Sequence, residues 1–363
     1  MPNRQSILDD YTRYYTEQLE RLIGQRMTEL EPAYRLLQFK AVDYLKVLYK
    51  DISNIKDPVK LKSKLYQIKL QEQLIAQLLP DLQLLDFKQQ PYFTSVLAGQ
   101  LQYGYYTSAY TLEKAAMIRT TVPILTRSNV LSVLANPWLP DKATYSDRIR
   151  VNTALIAEKT KEVVTDIVTK NLSYNEAANL LKTKINESYY RSVALVRTEM
   201  SRASSLGGSL AAMNNADILD GKYWDATLDS KTAPRDAAND REVFDLDYDT
   251  PNNPGVAGKR IPNHPNCRCK YVNKLKYLDP ISIRQARKND SKTSWGDTYV
   301  TKAKTYDEYA KERGLPTVKE MLEADNPKRY LRPGETIASL TKQVERKTFN
   351  NHTITVSRAP WDK

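Results

Sequence analysis

The first third of the chain carries apolar residues at helical spacing. One such run is Leu19, Leu22, Ile23, Met27 and Leu30. Residues three, four and seven apart share one face of a helix, so these runs predict amphipathic helices that bury one side. Proline removes a backbone donor and clashes with the preceding turn, so breaks or restarts are expected at Pro32, Pro58 and Pro80. The prediction for this part is a plain helical bundle, because no titratable cluster accompanies the stripes.

The pattern stays helical after a proline-rich break over 136–140. Ser146 is expected to cap a helix over the following residues. Ser173 with Glu176 three residues later forms a capping-box signature, and a further helix is predicted over about 188–214. The segment Lys222-Tyr223-Trp224 is typical of a short strand. Long polar loops follow it. Loops of about 40 residues without a periodic pattern are uncommon unless they are functional or fixed by other contacts.

The predicted fold class is mainly α: an N-terminal helical region, a small α+β domain with short strands and a long loop, and an extended basic C-terminal region. The expected domains are 1–136, a helical docking region; 137–275, the α+β domain; and 276–363, a basic region with short helical pieces, including one over 281–286, and a tail.

The aromatic content and the lack of long apolar runs indicate what kind of protein this is. The 363 residues include 24 tyrosines but only 5 phenylalanines. Because tyrosine is amphipathic, this balance predicts much half-buried surface, as in long helices or subunit contacts. Neither a signal peptide nor a run of about 18 apolar residues is seen, so we expect synthesis in a cytoplasm and no membrane span.

Positive charge is concentrated late in the chain. The formal net charge is +12, and residues 270–363 hold 20 Lys and Arg against 12 Asp and Glu. A basic surplus can meet phosphate or an acidic partner. The alternative is a solvated face that keeps the protein soluble.

Both cysteines and one of the two histidines lie within six residues, as His264, Cys267 and Cys269. Imidazole and thiolate are the ligands that zinc prefers, and a structural zinc site needs four ligands. The fourth would come from elsewhere in the chain, with three candidates: Asp236, Asp229 and His352. The alternative is that the cysteines are small apolar packing residues in a turn.

Two other groupings are expected to be structural. Asp245, Asp247 and Asp249 alternate like the start of a calcium loop, but the glycine and glutamate of an EF-hand are missing. A solvated acidic loop is therefore predicted. Arg197 and Glu199 lie on a helix where Glu199 could pair with Arg202, and an ion pair that fixes the following loop is expected rather than a catalytic carboxylate.

Taken together, these motifs resemble the Mu protein F-like family of phage head-morphogenesis, or minor head, proteins. The resemblance spans about residues 145–272 and rests on the segments 145–149, 195–199, 223–226, 228–232 and 262–269. Trp224 and Asp229 fall in these segments and are assigned structural roles with Arg197 and Glu199. Many members carry a Cys-x-x-Cys where this chain has Ala233-Pro234-Arg235-Asp236, so a four-ligand zinc site would need Asp236 as a substitute.

The resemblance implies a non-enzymatic virion component. Its expected partners are the phage portal protein, the major capsid protein and double-stranded viral DNA bound without sequence specificity. Its expected location is the capsid interior or portal vertex, after assembly in the host cytoplasm, with a role in head assembly and in DNA packaging or ejection. The alternatives are a metal-dependent nuclease or nucleic-acid-modifying enzyme centred on His264 and the Asp-rich loop, and a toxin-like domain using Glu199.

Overall fold

The computed structural model describes residues 4–57, 59–60, 63–137, 142–276, 284–287, 298–301, 305–317 and 319–320. The helices are α1 (Arg4–Glu29), α2 (Glu31–Ser53), α3 (Lys64–Ala116), α4 (Arg127–Ala135), α5 (Tyr145–Thr169), α6 (Tyr174–Met213), α7 (Pro234–Ala238) and α8 (Tyr306–Arg313), with a 3₁₀ turn at Ala216–Ile218. The strands are β1 (Leu219–Asp225), β2 (Val243–Phe244), β3 (Lys270–Leu275), β4 (Arg284–Arg287) and β5 (Thr298–Thr301). The predicted class, mainly helical with a small α+β part, is confirmed.

The chain forms two compact units. The first comprises Met1–Leu22, Ala98–Leu134 and Met200–Lys363, and the second comprises Ile23–Leu97 and Ala135–Glu199. The predicted division at 136 and 275 stays a prediction. Part of the 136–140 break, most of the basic region after 276 and His352 lie outside the described residues. None of the described helices has a stretch long and apolar enough to cross a membrane.

The core of the second unit explains why one predicted break is absent. We expected a helix to close near Pro80, but α3 continues through Pro80 and Pro91. Leu78 and Leu82 flank the first of these prolines, and both are buried in one apolar cluster with residues of α2, α5 and α6. Packing on both sides of Pro80 thus outweighs the lost backbone bond and the steric clash.

The helix starts confirm one predicted cap and correct another. Ser173 and Glu176 form the predicted reciprocal cap, with Ser173 N 2.8 Å from Glu176 Oε2 and Glu176 N 3.3 Å from Ser173 Oγ. The helix that begins there runs without a break to Met213, so no separate helix starts near 188. The cap of α5 is Thr144, which forms a capping box with Asp147, and Ser146 bonds Gln90 instead.

A three-stranded antiparallel sheet in the order β2-β1-β3 lies in the first unit. The predicted strand at Lys222–Trp224 is confirmed as the centre of β1, with Tyr223 opposite Val272 and Trp224 opposite Tyr271. The predicted helical piece over 281–286 is wrong for 284–286, which belong to β4 in an antiparallel pair with β5. Residues 281–283 lie outside the described chain.

In the first unit, α3 and α6 approach each other so closely that their backbones touch. A Cβ atom added to Gly104 would overlap the carbonyl of Ser204, and one added to Gly207 would overlap the carbonyl of Leu101. Only glycine lacks the atom that would collide at these positions. Gly99 lies on α3 with nothing within 4 Å of an added Cβ, so it carries no such constraint.

We expect Gly207→Ala to lower the free energy of unfolding by about 1–3 kcal/mol, since the added methyl must push two helices apart. Gly99→Ala is the matched control and should be neutral or stabilising by about 0.5–1 kcal/mol, because glycine is a poor helix former. Urea unfolding of the two variants measures both changes. Equal stability of the two variants would contradict the close approach.

Candidate metal centre

The sequence His264-Pro265-Asn266-Cys267 folds into a tight turn. Cys267 N donates to His264 O at 3.0 Å, and Asn266 has a positive φ of 62°. Proline at the second position and asparagine at a third position with positive φ are typical of a type II turn. The turn places the imidazole and the first thiol close together, and the chain then enters β3 through the second thiol, Cys269.

Asp236 comes to this turn from the short helix α7, all five residues of which are buried. Its Oδ2 lies 2.7 Å from His264 Nε2 and 3.6 Å from Cys267 Sγ, and its Oδ1 accepts a 2.9 Å bond from Asn263 Nδ2. Potential ligand atoms of Asp236, Cys267 and Cys269 all lie within 4.8 Å of one another. The four residues predicted as zinc ligands from the sequence are therefore neighbours in space.

Asp236 and His264 carry opposite charges in this cluster. Burial raises the pKa of Asp236, but hydrogen bonds from His264 and Asn263 outweigh burial and leave it below its ordinary value. Burial also works against a charged His264, but the bond to Asp236 and its negative charge raise the histidine pKa to about 9. Near neutral pH the pair is thus a carboxylate facing an imidazolium.

The two thiols differ in the same surroundings. Burial opposes ionisation of both, and it raises the pKa of Cys269 well above its ordinary value. For Cys267, a hydrogen bond from Cys269 and the charge of His264 outweigh burial, so its pKa is lowered. Cys267 is therefore the thiol that ionises first, and thiolate is the form that binds metal.

The donor types fit zinc, but His264 lies outside the group whose ligand atoms are all within 4.8 Å of one another. Two thiols, a carboxylate and an imidazole are all zinc ligands. However, oxygen and nitrogen atoms that share a tetrahedral zinc lie about 3.3 Å apart, given bond lengths of about 2.0–2.1 Å. The 2.7 Å between Asp236 and His264 is instead a hydrogen-bond distance. Zinc held by all four residues would have to replace the proton between them, and without metal the same contacts form a satisfied polar network.

The other predicted residues of this stretch have structural contacts. Asp229 was one candidate for the fourth ligand, but its carboxylate forms a two-pronged ion pair with Arg268, with Nη2 at 2.8 Å from Oδ1. It also accepts a bond from Lys231 N at 2.9 Å, which fixes the turn. Trp224 is fully buried and packs in one apolar cluster with Cys267 and Cys269. The alternative role proposed for the cysteines, apolar packing, is thus also visible.

A buried ion pair fixes the long loop, as expected, but through a partner that was not predicted. Arg202 Nη1 lies 2.8 Å from Asp249 Oδ1, and both side chains are buried. Glu199 is buried too, and its Oε1 is 3.9 Å from Arg148 Nε; Arg197 beside it is also buried. The expectation of a fully solvated acidic loop is correct for Asp245 and Asp247, which are exposed, and wrong for Asp249.

Two buried charges in this region are not predicted by the sequence patterns. Asp240 accepts the backbone N–H of Ala226 and of Tyr306, each at 2.9 Å, and so joins β1 to α8. Lys222 in β1 is 1% exposed and donates to Ser209 Oγ at 2.7 Å. Its burial, and no sequence pattern, sets this lysine apart, because charged side chains at inward positions are rare unless they bind something.

The comparisons with known proteins bear on this region. Residues 158–272 match the family described as Phage Mu protein F like protein. We call residues 158–272 the Mu F-like region. The match confirms the resemblance predicted from the motifs, and it supports a phage head protein located in the virion. The four candidate ligand residues, Asp236, His264, Cys267 and Cys269, all lie inside the Mu F-like region.

A curated relative has an enzymatic name. The chain is 26% identical over 229 residues to NAD(+)--arginine ADP-ribosyltransferase EFV of Enterococcus faecalis, covering 60% of this chain and 44% of the relative. The chain thus spans less than half the length of that protein. No solved structure matches the chain.

The segment Ala233–Asp236, which differs from the Cys-x-x-Cys of the family pattern, lies next to the two cysteines. Ala233 directly precedes α7 and Asp236 is the third residue of that helix, so the segment that replaces a Cys-x-x-Cys delivers a carboxylate to the two remaining cysteines. A carboxylate is a harder ligand than a thiolate, and zinc accepts both.

We expect zinc added to the metal-free protein to bind at about one ion per chain and to raise the unfolding temperature, since a buried site with thiol ligands converts binding into folding stability. Asp236→Asn and Cys269→Ser should lose this zinc in elemental analysis. Asp240→Asn is the matched control, because it alters another buried aspartate outside the ligand group; it should lose stability but keep zinc. If neither wild type nor the variants hold zinc, the cluster is a polar network only, and equal zinc in wild type and Asp236→Asn would exclude Asp236 as a ligand.

Proposed function

We propose that the protein is a non-enzymatic minor head protein that associates with the portal and the capsid interior and acts in head assembly and in DNA packaging or ejection. The match of the Mu F-like region carries this proposal. The portal, the major capsid protein and the viral DNA are its proposed partners.

The contacts of the candidate residues support a structural role over a catalytic one. Asp229, Asp236 and Asp249 are buried, and each is engaged in an ion pair or hydrogen bonds that join distant parts of the chain. A general acid or base needs to reach a substrate proton. Glu199, the residue considered for a toxin-like enzyme, is only 6% exposed.

A DNA contact is the part of this proposal that rests on charge. Residues 270–363 hold 20 basic against 12 acidic side chains, and most of them lie outside the described residues. Lysine and arginine bind DNA without sequence preference by neutralising phosphates and releasing counterions. Inside a filled capsid such a segment would meet DNA at high local concentration.

The proposed function predicts that the protein is a particle component present in few copies. Quantitative mass spectrometry of purified procapsids and virions should find it at a small fraction of the coat protein level, and co-expression with the portal should yield a complex. Particles made with Gly207→Ala and with Gly99→Ala form a matched pair, because only the first variant is expected to destabilise the fold.

Absence of the wild-type protein from both procapsids and virions would overturn the proposal.

The enzymatic alternatives need their own assays on the same protein. The relative's name motivates incubation with NAD(+) and an arginine-containing acceptor, and the nuclease hypothesis motivates incubation of DNA with divalent metal. We expect no turnover in either assay. Metal-dependent DNA cleavage that His264→Ala abolishes would favour the nuclease, and ADP-ribosylation that Glu199→Gln abolishes would favour the transferase.

The DNA contact has a separate prediction. A chain that ends at residue 324 keeps α8 but loses the basic tail, and it should bind duplex DNA more weakly at low salt, with a smaller dependence of log K on log salt. The slope is about 0.9 per phosphate neutralised, so its decrease gives the number of phosphates that the tail neutralises. Replacing lysine and arginine after residue 324 by glutamine is the matched full-length control. Unchanged retention at low salt would contradict the contact.

A further inference from the structure

A cavity lies in the first unit beside the cysteine–histidine cluster, which comprises Asp236, His264, Cys267 and Cys269. Of these four residues, Cys269 lines the cavity. The cavity measures about 110 Å³ and is lined by residues of α1, α3, α6, β1 and β3. A cavity of about 10–15 Å³ by the same measure already holds one water, so this one has room for several water-sized groups. Nine of the lining residues are serine or threonine, so the wall offers several hydroxyl groups.

Lys222 in this wall is a buried cation that has no carboxylate partner among the described residues. Its Nζ donates to Ser209 Oγ at 2.7 Å and to Tyr248 O at 2.6 Å, and lies 4.4 Å from the ring centroid of Tyr271. All three partners are neutral. The acid with the largest influence on it, Asp249, is already paired with Arg202 at 2.8 Å.

A buried charge in this position has two ways to be stabilised. It can lose its proton, and burial does lower the pKa of Lys222 to about 7. It can also take an anion from solution into the space beside it, which restores the missing counter-charge. The cavity supplies that space. A cavity of this size beside an unpaired cation is what an anion site requires.

The helix that faces Lys222 supplies free hydroxyl groups. Ser201, Ser204 and Ser205 lie on one side of α6 and line the cavity. Their hydroxyls make no hydrogen bond to any described residue, whereas Thr107 on α3 donates to the carbonyl of Tyr103 at 2.7 Å. Free hydroxyls and a lysine together are suited to an anion with several oxygens, because charge-assisted bonds to such oxygens are the strong ones.

The remaining charges of the wall also favour an anion. Arg268 and Lys270 line the cavity with Lys222, against one acidic residue, Glu20. Arg268 is held by Asp229, and Lys270 lies 3.7 Å from Asp225, so these two cations are fixed in place by carboxylates. Of the three cations in the wall, Lys222 is the one that remains for a ligand.

We propose that this cavity binds a small tetrahedral oxyanion of the phosphate type, held by Lys222 and the hydroxyls of Ser201, Ser204 and Ser205. The anion is either free inorganic phosphate or the phosphate of a mononucleotide. The site is separate from the docking and DNA contacts of the proposed function and does not depend on them.

The test uses the full chain in a chloride buffer near pH 7. Inorganic phosphate should raise the unfolding temperature in a saturable way beyond sodium chloride of equal ionic strength, since a ligand of the folded state stabilises it. A parallel titration with deoxyadenosine 5′-monophosphate separates the two sources: tighter binding of the nucleotide identifies a phosphate monoester as the ligand, and weaker binding identifies free phosphate.

Lys222→Met should weaken phosphate binding at least tenfold. Lys114→Met is the matched control, because it removes an exposed lysine of the same unit, and it should bind phosphate as wild type does. Where Lys222→Met fails to fold, the double variant Ser204→Ala/Ser205→Ala decides, with an expected loss of several-fold in affinity and no change of charge. No saturable shift in wild type, or an equal shift in wild type and the deciding variant, would overturn the proposal.

Discussion

Four buried aspartates fix the long segment between β1 and β3 in place, and the geometry of the cysteine–histidine cluster depends on them. This segment has little regular structure, since β2 has two residues and α7 has five. The cost of burying an unpaired carboxylate is several kcal/mol, so each of these side chains must find its partners for the chain to fold. The pairs are Asp229 with Arg268, Asp236 with His264 and Asn263, Asp240 with the backbone of Ala226 and Tyr306, and Asp249 with Arg202 and Ile261 N.

The sequence predicts what is local and misses what is distant. The capping pair Ser173 and Glu176, three residues apart, and the short strand around Trp224 are set by near neighbours, and both predictions are confirmed. The break expected at Pro80 is wrong because the packing that keeps α3 continuous through it comes from other helices. Arg202 and Asp249 are 47 residues apart, and nothing in local spacing distinguishes Asp249 from the exposed Asp247.

The cysteine–histidine cluster is predictable because its chemistry is rare in this chain. With two cysteines and two histidines in 363 residues, three of them within six positions stand out. The family pattern points to Asp236 as a ligand, while Asp229, which is equally suitable by residue type, pairs with Arg268. Lys222 gives no signal by itself because a single lysine is common; only its burial in β1 makes it unusual. The tyrosine content predicts half-buried surface, as in long helices or subunit contacts. Tyr34, Tyr105 and Tyr223 are instead fully buried within the chain's own core.

The order in which the two units can form follows from the segments that build them. All residues of the second unit lie between Ile23 and Glu199, whereas the first unit combines the start of the chain with α8 near the other end. Leu8 packs with Leu112 and Leu275, and Asp240 accepts one of its bonds from Tyr306. Contacts of such high sequence separation form slowly and late. During synthesis on the ribosome the second unit can close first, and the region with the cysteines and Lys222 is completed only after about the first 310 residues have emerged. An ion or partner that binds the completed region with the cysteines and Lys222 therefore binds chains that extend through α8 and not shorter nascent chains.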